Sequence, residues 1–285
     1  MTDKLIIQGN IATLRDAVPI RFVYHKSVDS PEDHVLHINT YLEIYVYVQG
    51  NHQYIVENKI YGLQRGDIIL INPREVHKPL PSETCLYERF YLLVDERCLD
   101  GLALNPLTDL LTPSDHTGNL ISPEPEAREQ ILSLLYKISD SFSEGQNFQV
   151  QALALFLQLL DLLVQQRSQV RSIPGGMAQV PELLKSILSY VAENAASIQT
   201  TAQIADALGI SSPYLSSYFR KCIGTPLKIY IQAKKVALAK DLLDKGANVT
   251  EACFDSGFND CSYFIRIFKS YVGVTPFNYR KILNH

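Results

Sequence analysis

Long apolar runs are missing from this sequence. Its hydrophobic stretches are broken by polar or charged residues well short of the ~18 needed to cross a bilayer, so no membrane helix is expected. The start, Met1-Thr2-Asp3-Lys4-Leu5-Ile6-Ile7-Gln8, is too short and too polar for a secretion signal, which points to a cytoplasmic chain. Closely spaced cysteines are also lacking. Cys85, Cys98, Cys222, Cys253 and Cys261 are scattered with no C-x-x-C pair, which argues against a disulfide frame or a zinc site and for reduced thiols. Gly and Pro number only 14 each in 285 residues, and charged residues are 20% against 46% hydrophobic, so collagen-like repeats and wholesale disorder are set aside. At ~100–200 residues per domain the length suggests two domains, each able to bury a core.

What is present divides unevenly. Residues 178–285 hold twelve basic and eight acidic residues, net +4, and residues 1–177 hold fourteen basic and twenty-two acidic, net −8. An acidic part joined to a basic part suggests two jobs, with the basic part the candidate for a polyanion. Residues 1–100 read as strands: Ile20–His25, Leu36–Val48, His52–Glu57, Ile68–Ile71 and Leu86–Val94 are short, rich in β-branched and aromatic residues, and separated by turn signals, the pattern of a sandwich or barrel. Residues 124–167 change to helical spacing, with a helix from about Phe148 to Gln166. Ser172-Ile173-Pro174-Gly175-Gly176 reads as an interdomain linker, and helical periodicity resumes from Pro181 to the end. The fold class expected is two-domain, β followed by all-α.

The carboxyl part repeats itself. Thr200–Ile210 aligns on Asn248–Phe258, Gly209 on Gly257, and Gly224-Thr225-Pro226 on Gly273-Val274-Thr275-Pro276, at an offset drifting from 48 to 50. Each copy opens with a capping box, Thr200 with Gln203 or Asn248 with Glu251, and its first helix closes at a glycine. A second helix starts at a fresh cap, Ser212 before Pro213 or Asn259/Asp260. Its apolar stripe is Leu215, Tyr218 and Phe219, then Phe264, Ile267, Phe268 and Tyr271, so the remaining residues face out. Such helix-turn-helix units insert their outer helix in the major groove. Between the copies Pro226–Leu243 runs about 18 residues without a breaker, a rod of ~27 Å that sets the outer helices about one duplex turn apart.

The sequence Ile204-Ala205-x-x-Leu208-Gly209-Ile210-Ser211-x-x-Tyr214-Leu215-Ser216-x-x-Phe219-Arg220-x-x-x-Gly224-x-x-Pro226-x-x-Tyr230, followed by Gly257-Phe258-x-Asp260-x-Ser262-Tyr263-Phe264-x-Arg266-x-Phe268-Lys269-x-x-x-Gly273-x-Thr275-Pro276-x-x-Tyr279-Arg280, resembles the AraC/XylS family of transcription regulators over residues 181–283. The resemblance implies double-stranded promoter DNA as partner, with RNA polymerase a further candidate. Base reading is expected from Ser212, Ser216, Ser217, Cys261, Ser262, Ile265 and Arg266, and phosphate contact from Arg220, Lys221, Lys228, Lys269 and Arg280. For any single lysine a solvated surface charge is the competing reading. The chain departs from the family at Ser217, where Arg is frequent, at Lys235, which keeps the charge but loses the planar fork, and at Cys253, where a small alanine is common.

The amino part has its own alternation. His37, Asn39, Tyr41, Glu43, Tyr45 and Tyr47 alternate with Ile38, Thr40, Leu42, Ile44, Val46 and Val48, which places an aromatic and polar set opposite an aliphatic one. The first set, with His77, is the candidate lining of a pocket for a small polar effector, a sugar being the example; the competing reading places the tyrosines at a solvent-facing rim. Glu43…Gly50 with Gly66-Asp67-Ile68-Ile69-Leu70-Ile71-Asn72-Pro73-x-x-x-His77 resembles the cupin-like effector domain common in this family. Metal-binding cupins use an H-x-H pair, a Glu and a later His; Val35 breaks the pair, so only His37, Glu43 and His77 match, and neither metal nor cofactor is expected. In the helix near 152–164 the apolar residues span an arc of ~220°, more than one packed side needs; Leu155, Phe156, Leu159, Leu162 and Leu163 are the candidate homodimer face, with burial on both sides inside the chain as the alternative.

The expected organisation is a cupin-like ligand-binding barrel over 1–122, a helical dimerisation segment over 123–170, a linker over 171–180 and a double helix-turn-helix domain over 181–285. The expected function is a non-enzymatic, sequence-specific transcription regulator, an activator, responding to the effector. The alternatives are a ligand-independent regulator whose barrel serves assembly, and a metal cupin enzyme fused to a DNA-binding tail.

Overall fold

The computed structural model describes residues 4–12, 20–30, 33–39, 41–50, 53–73, 75–80, 83–95, 98, 118–143, 149–169 and 180–283. The expected linker at 171–180 lies outside them except for Val180.

The amino-terminal part is built from two antiparallel sheets. β1 (Leu5–Ala12), β2 (Ile20–Asp29), β8 (Cys85–Val94), β3 (Leu42–Gln49), β6 (Ile68–Ile71) and β9 (Leu120–Ile121) form a six-stranded sheet in that order. β5 (Lys59–Gly62), β4 (Gln53–Val56) and β7 (His77–Pro79) form a three-stranded one. The period-2 alternation read in β3 assigns its two faces. Leu42, Ile44, Val46 and Val48 join Phe22, Phe90 and Leu92 in a core beneath α1 (Pro125–Ser143) and α2 (Gln149–Gln169). Tyr45 and Tyr47 turn the other way and share a second core with Tyr87 and with Tyr54, Val56 and Tyr61 of the small sheet. Burying each such side chain contributes about 1.5–3 kcal/mol.

Two expectations need correction here. Leu36–Val48 is not one strand: β3 begins at Leu42, and His37 instead makes an isolated bridge with His77, its N–H 3.2 Å from the His77 carbonyl. The alternation continues, but the segment has moved to the edge of the small sheet. Leu36 and Ile38 therefore pack against the carboxyl-terminal helices rather than beneath α1 and α2. The second correction concerns α2. Phe156, Leu159 and Leu163 are fully buried in the core with α1 and the six-stranded sheet, and Leu155 and Leu162 are half-buried, so the wide apolar arc is largely consumed within the chain.

The carboxyl-terminal part comprises α3 (Glu182–Asn194), α4 (Thr201–Ala207), α5 (Ser212–Ile223), α6 (Leu227–Asp244), α7 (Val249–Asp255), α8 (Cys261–Val272) and α9 (Pro276–Leu283). The pairs α4–α5 and α7–α8 are the two copies of the repeat. Both expected capping boxes are present, at Thr200/Gln203 and Asn248/Glu251. The cap of α5 is Ser211 rather than Ser212: the Ser211 hydroxyl accepts from the Tyr214 N–H, which leaves Pro213 in the first turn, where no donor is needed. Asp260 caps α8 in the same way. Gly257 closes α7 at φ +89°, and a Cβ there would sit 2.0 Å from the Ala196 carbonyl oxygen, so only glycine fits. Lys235 is buried and donates to the carbonyls of Ile198 and Gly257, 2.7 Å each; its charge braces the turn of the second copy.

α6 is the spine of this part and also its contact with the sheets. The back of the small sheet, Ile55 and Ile60 with Val76 and Leu80, shares one core with Ile231, Val236 and the helices around them. The Tyr230 hydroxyl donates to the Glu57 carbonyl at 2.6 Å, and Lys234 pairs with the Glu57 carboxylate. Lys78 donates to Thr225 at 3.3 Å and Lys240 to the Asn39 carbonyl at 3.4 Å. Glu57 has φ +57° at the β4–β5 turn, a conformation that costs a non-glycine residue roughly 1–2 kcal/mol and that these contacts hold in place.

Candidate functional site: paired helices and a polar pocket

The first site is a surface. In α5, Leu215 and Phe219 are buried, which turns Ser216, Ser217, Arg220 and Lys221 to solvent. In α8, Phe264 and Phe268 are buried, which turns Ser262, Ile265, Arg266 and Lys269 outward. Ser212 and Cys261, each in a first turn, and Arg280 in α9 are half-buried; Lys228 is exposed at the start of α6. The two copies open on one side. A groove of about 680 Å³ between them is lined by Ser216 and Arg220 of α5, Lys228 and Gln232 of α6, and Tyr263 of α8. Arg266 lies over the Tyr263 ring, 5.4 Å from its centroid, which pre-orders a long side chain before any partner arrives. Gln232 and Asn259 also line this groove and were missed, since nothing in the helical periodicity separates them from other solvent-facing polar residues.

The second site lies on the polar face of the six-stranded sheet. A cavity of about 400 Å³ is lined by His37, Asn39, Glu43 and Tyr45, as expected, and also by Arg21, His34, Tyr54, Arg89 and Tyr91. His77 sits fully buried behind it, its Nε2 3.3 Å from Glu43 Oε2, with the Asn39 amide bonded to the same carboxylate. Tyr41 is half-buried and does not line the cavity. Tyr47 shares the face of Tyr45 but donates its hydroxyl to the Gly50 carbonyl, and it too is not part of the lining. The missed residues were open to the same reasoning that found Tyr45. In β8, Tyr87, Arg89 and Tyr91 alternate with Leu86, Glu88, Phe90 and Leu92, and the register puts Tyr91 opposite Tyr45.

Burial sets the electrostatics of the pocket. Burial holds His34 and His37 down at about 4, so both are neutral at pH 7. Burial pushes the Glu43 carboxyl up, but its hydrogen bond with His77 wins and holds it below the ordinary carboxylate range. The donor atoms of His37, Glu43 and His77 lie within 4.8 Å of one another. Nδ1 of His37 is 2.9 Å from the Val35 carbonyl and Nδ1 of His77 is 2.7 Å from that of Glu75, so each Nδ1 donates, and the ε nitrogen of His77 faces Glu43. The uneven spacing in sequence argued against a metal; the fold nevertheless gathers a donor set that fits one.

Residues 204–282 match the helix-turn-helix domain family. The chain is 27% identical over 236 residues to YbfI of Bacillus subtilis, an uncharacterized HTH-type transcriptional regulator, covering 80% of each. It is 24% identical over 288 residues to the HTH-type transcriptional activator RhaR of Escherichia coli O139:H28, covering 98% of this chain and 96% of that protein. To the melibiose operon regulatory protein of Escherichia coli K12 it is 22% identical over 297 residues, covering 99% and 96%. Among the described residues no helix is long and apolar enough to cross a membrane.

Proposed function

We propose that the chain is a transcriptional regulator of the AraC/XylS type, a sequence-specific activator whose α5 and α8 enter successive major-groove segments of one duplex. The observation that carries this reading is the shared groove, in which side chains from α5, α6 and α8 meet on one surface with Arg220 and Lys228 among them. Arg266, Ser262 and Ile265 read bases from α8, while Ser212, Ser216 and Ser217 read from α5 with short hydroxyl contacts. Arg220, Lys221, Lys228 and Lys269 neutralise phosphates. The test is binding of the full chain to operator fragments selected from genomic DNA, against random duplex of equal length. A specificity ratio near one overturns the reading.

The pocket is the effector site, and a hydroxylated small molecule of sugar size fits its volume and its mix of tyrosine rings with amide and carboxylate groups. A relative named for the melibiose operon supports that class. Coupling runs through two neighbouring backbones. Asn39 bonds Glu43 with its side chain and receives Lys240 of α6 on its carbonyl. In β7, His77 contacts Glu43 of the pocket while the next residue, Lys78, holds Thr225 at the end of the first copy. An effector that binds the docked and undocked arrangements unequally shifts the population between them.

A second reading has one observation in its favour, the convergence of His37, Glu43 and His77. These residues would hold a divalent transition ion, which would supply Lewis-acid polarisation of a bound hydroxyl or carbonyl. Stoichiometric zinc, iron or manganese in the purified chain supports it, and a metal-free chain that still answers its effector overturns it.

A further inference from the structure

Within the pocket, Arg89 stands out among the charged groups because its hydrogen-bonding capacity is left over. The side chain is 16% exposed, too enclosed for full hydration. Among the described residues it makes a single hydrogen bond, from Nη1 to Asp29 at 3.3 Å, a long contact rather than a bidentate fork. Its guanidinium lies over the Tyr87 ring at 4.4 Å, so one face is covered and the edge carrying the remaining N–H donors is what it can offer. The carboxylates around it are already engaged. Asp29 accepts from Ser27 and faces His34 at 3.4 Å. Asp33 accepts from the backbone and hydroxyl of Ser30 at 2.7 and 2.8 Å. Glu43 is taken up by Asn39 and His77. The open capacity of the pocket is therefore the donor edge of Arg89. One long contact to Asp29 leaves the other guanidinium donors of this enclosed cation open, and a second anionic acceptor would satisfy them.

We infer that the effector carries an anionic group, a carboxylate or a phosphate, which docks on Arg89, with its hydroxylated remainder against Tyr45, Tyr54 and Tyr91: a sugar acid or a sugar phosphate rather than a neutral sugar. Planar guanidinium matches carboxylate or phosphate oxygens two at a time, which a hydroxyl cannot do. Arg21 at the outer end of the cavity adds a second positive charge that draws an anion inward. This rests on the reading of the pocket as the effector site, and the experiment separates the two.

The full chain is titrated at pH 7 and fixed ionic strength with matched compounds: galactose, galacturonate and galactose 1-phosphate, then glucose, glucuronate and glucose 6-phosphate. Melting temperature and calorimetric heat are read for each. The expected result is binding of a charged member where its neutral counterpart does not bind, with the carboxylate and phosphate arms telling which anion is taken. Arg89→Gln weakens that binding about tenfold or more while Arg89→Lys retains part of it. The second variant keeps the test sound if the first unfolds, which its own melting curve reports. Neutral sugars binding as well as their acids, with Arg89→Gln unchanged, overturn the inference and leave the pocket as an effector site. No binding of either class, by a chain that still recognises its operator, overturns both.

Discussion

The two helix pairs are built to one plan and differ in what surrounds them. α4–α5 abuts the sheets: Thr225, just past α5, is held by Lys78, and Gly224 has the same Nζ within 3.4 Å of where a Cβ would stand. Among the described residues no side chain of the sheets bonds to α7–α8; it is tied to its own domain, through Lys235 and the Gly257–Ala196 approach. Their outward chemistry differs in the same sense. The central turns of α5 show serines, whereas α8 shows Ile265 and Arg266. If the roles proposed above hold, the copy that touches the sheets is the weaker reader, and control and recognition are divided between two copies of one motif.

The glycines that end α4 and α7 break this symmetry most. Gly257→Ala adds a clash with Ala196 to the strain of positive φ and is expected to cost about 3 kcal/mol or more, unfolding much of the second copy. Gly209→Ala, with φ +66° but nothing within 4 Å, should cost only about 1 kcal/mol. Denaturant titration of the two variants checks the difference, and equal losses would show that the close approach does not matter. Next in size, Arg266→Ala should lose about 1–3 kcal/mol of operator affinity and relax specificity at one base pair. Equal losses on operator and random duplex would place Arg266 on phosphate.

Smaller effects probe the contact between the domains. Glu57→Ala removes the Lys234 pair and the acceptor of the Val76 N–H while keeping the carbonyl that Tyr230 bonds, and should raise protease sensitivity at the domain junction while shifting operator affinity a few-fold in the effector-free chain. Acid separates the halves as well. His25, His34 and His37 are held at about 4 by burial, so the unfolded chain takes up protons below pH 6.5 that the folded one refuses. Stability of the amino-terminal part therefore falls as pH drops from 6.5 toward 4. The carboxyl-terminal part, with no histidine between 178 and 284, should hold its melting temperature over that window. Melting followed by separate probes of strand and helix content at pH 7 and pH 5 checks this difference.

Legibility in the sequence followed the range of the interactions. Caps, glycine stops and the α6 rod are set within a few residues, so both copies were readable, with only the α5 cap displaced by one, from Ser212 to Ser211. The alternation in β3 was readable for the same reason. The pocket was half legible because half of it comes from β3 and its approach, and half from β2, β4 and β8, whose placement depends on pairing across long separations. The break before β3 escaped notice because alternation is blind to which sheet a strand edge has joined, and Leu36 and Ile38 went to a different core in consequence. In α2 the width of the apolar arc was right, but an arc does not say whether its second side meets another chain or, as Phe156, Leu159 and Leu163 do, its own domain.

α6 buries residues around most of its circumference: Tyr230, Ile231, Ala233, Val236, Ala239 and Leu243 are all enclosed. It works as a single axle with both helix pairs mounted on it and the small sheet bearing against its side. If the proposed roles hold, a shift of the sheet passes to both pairs through this one helix, so substitutions on its sheet-facing stripe would alter the response without touching the side chains that meet DNA.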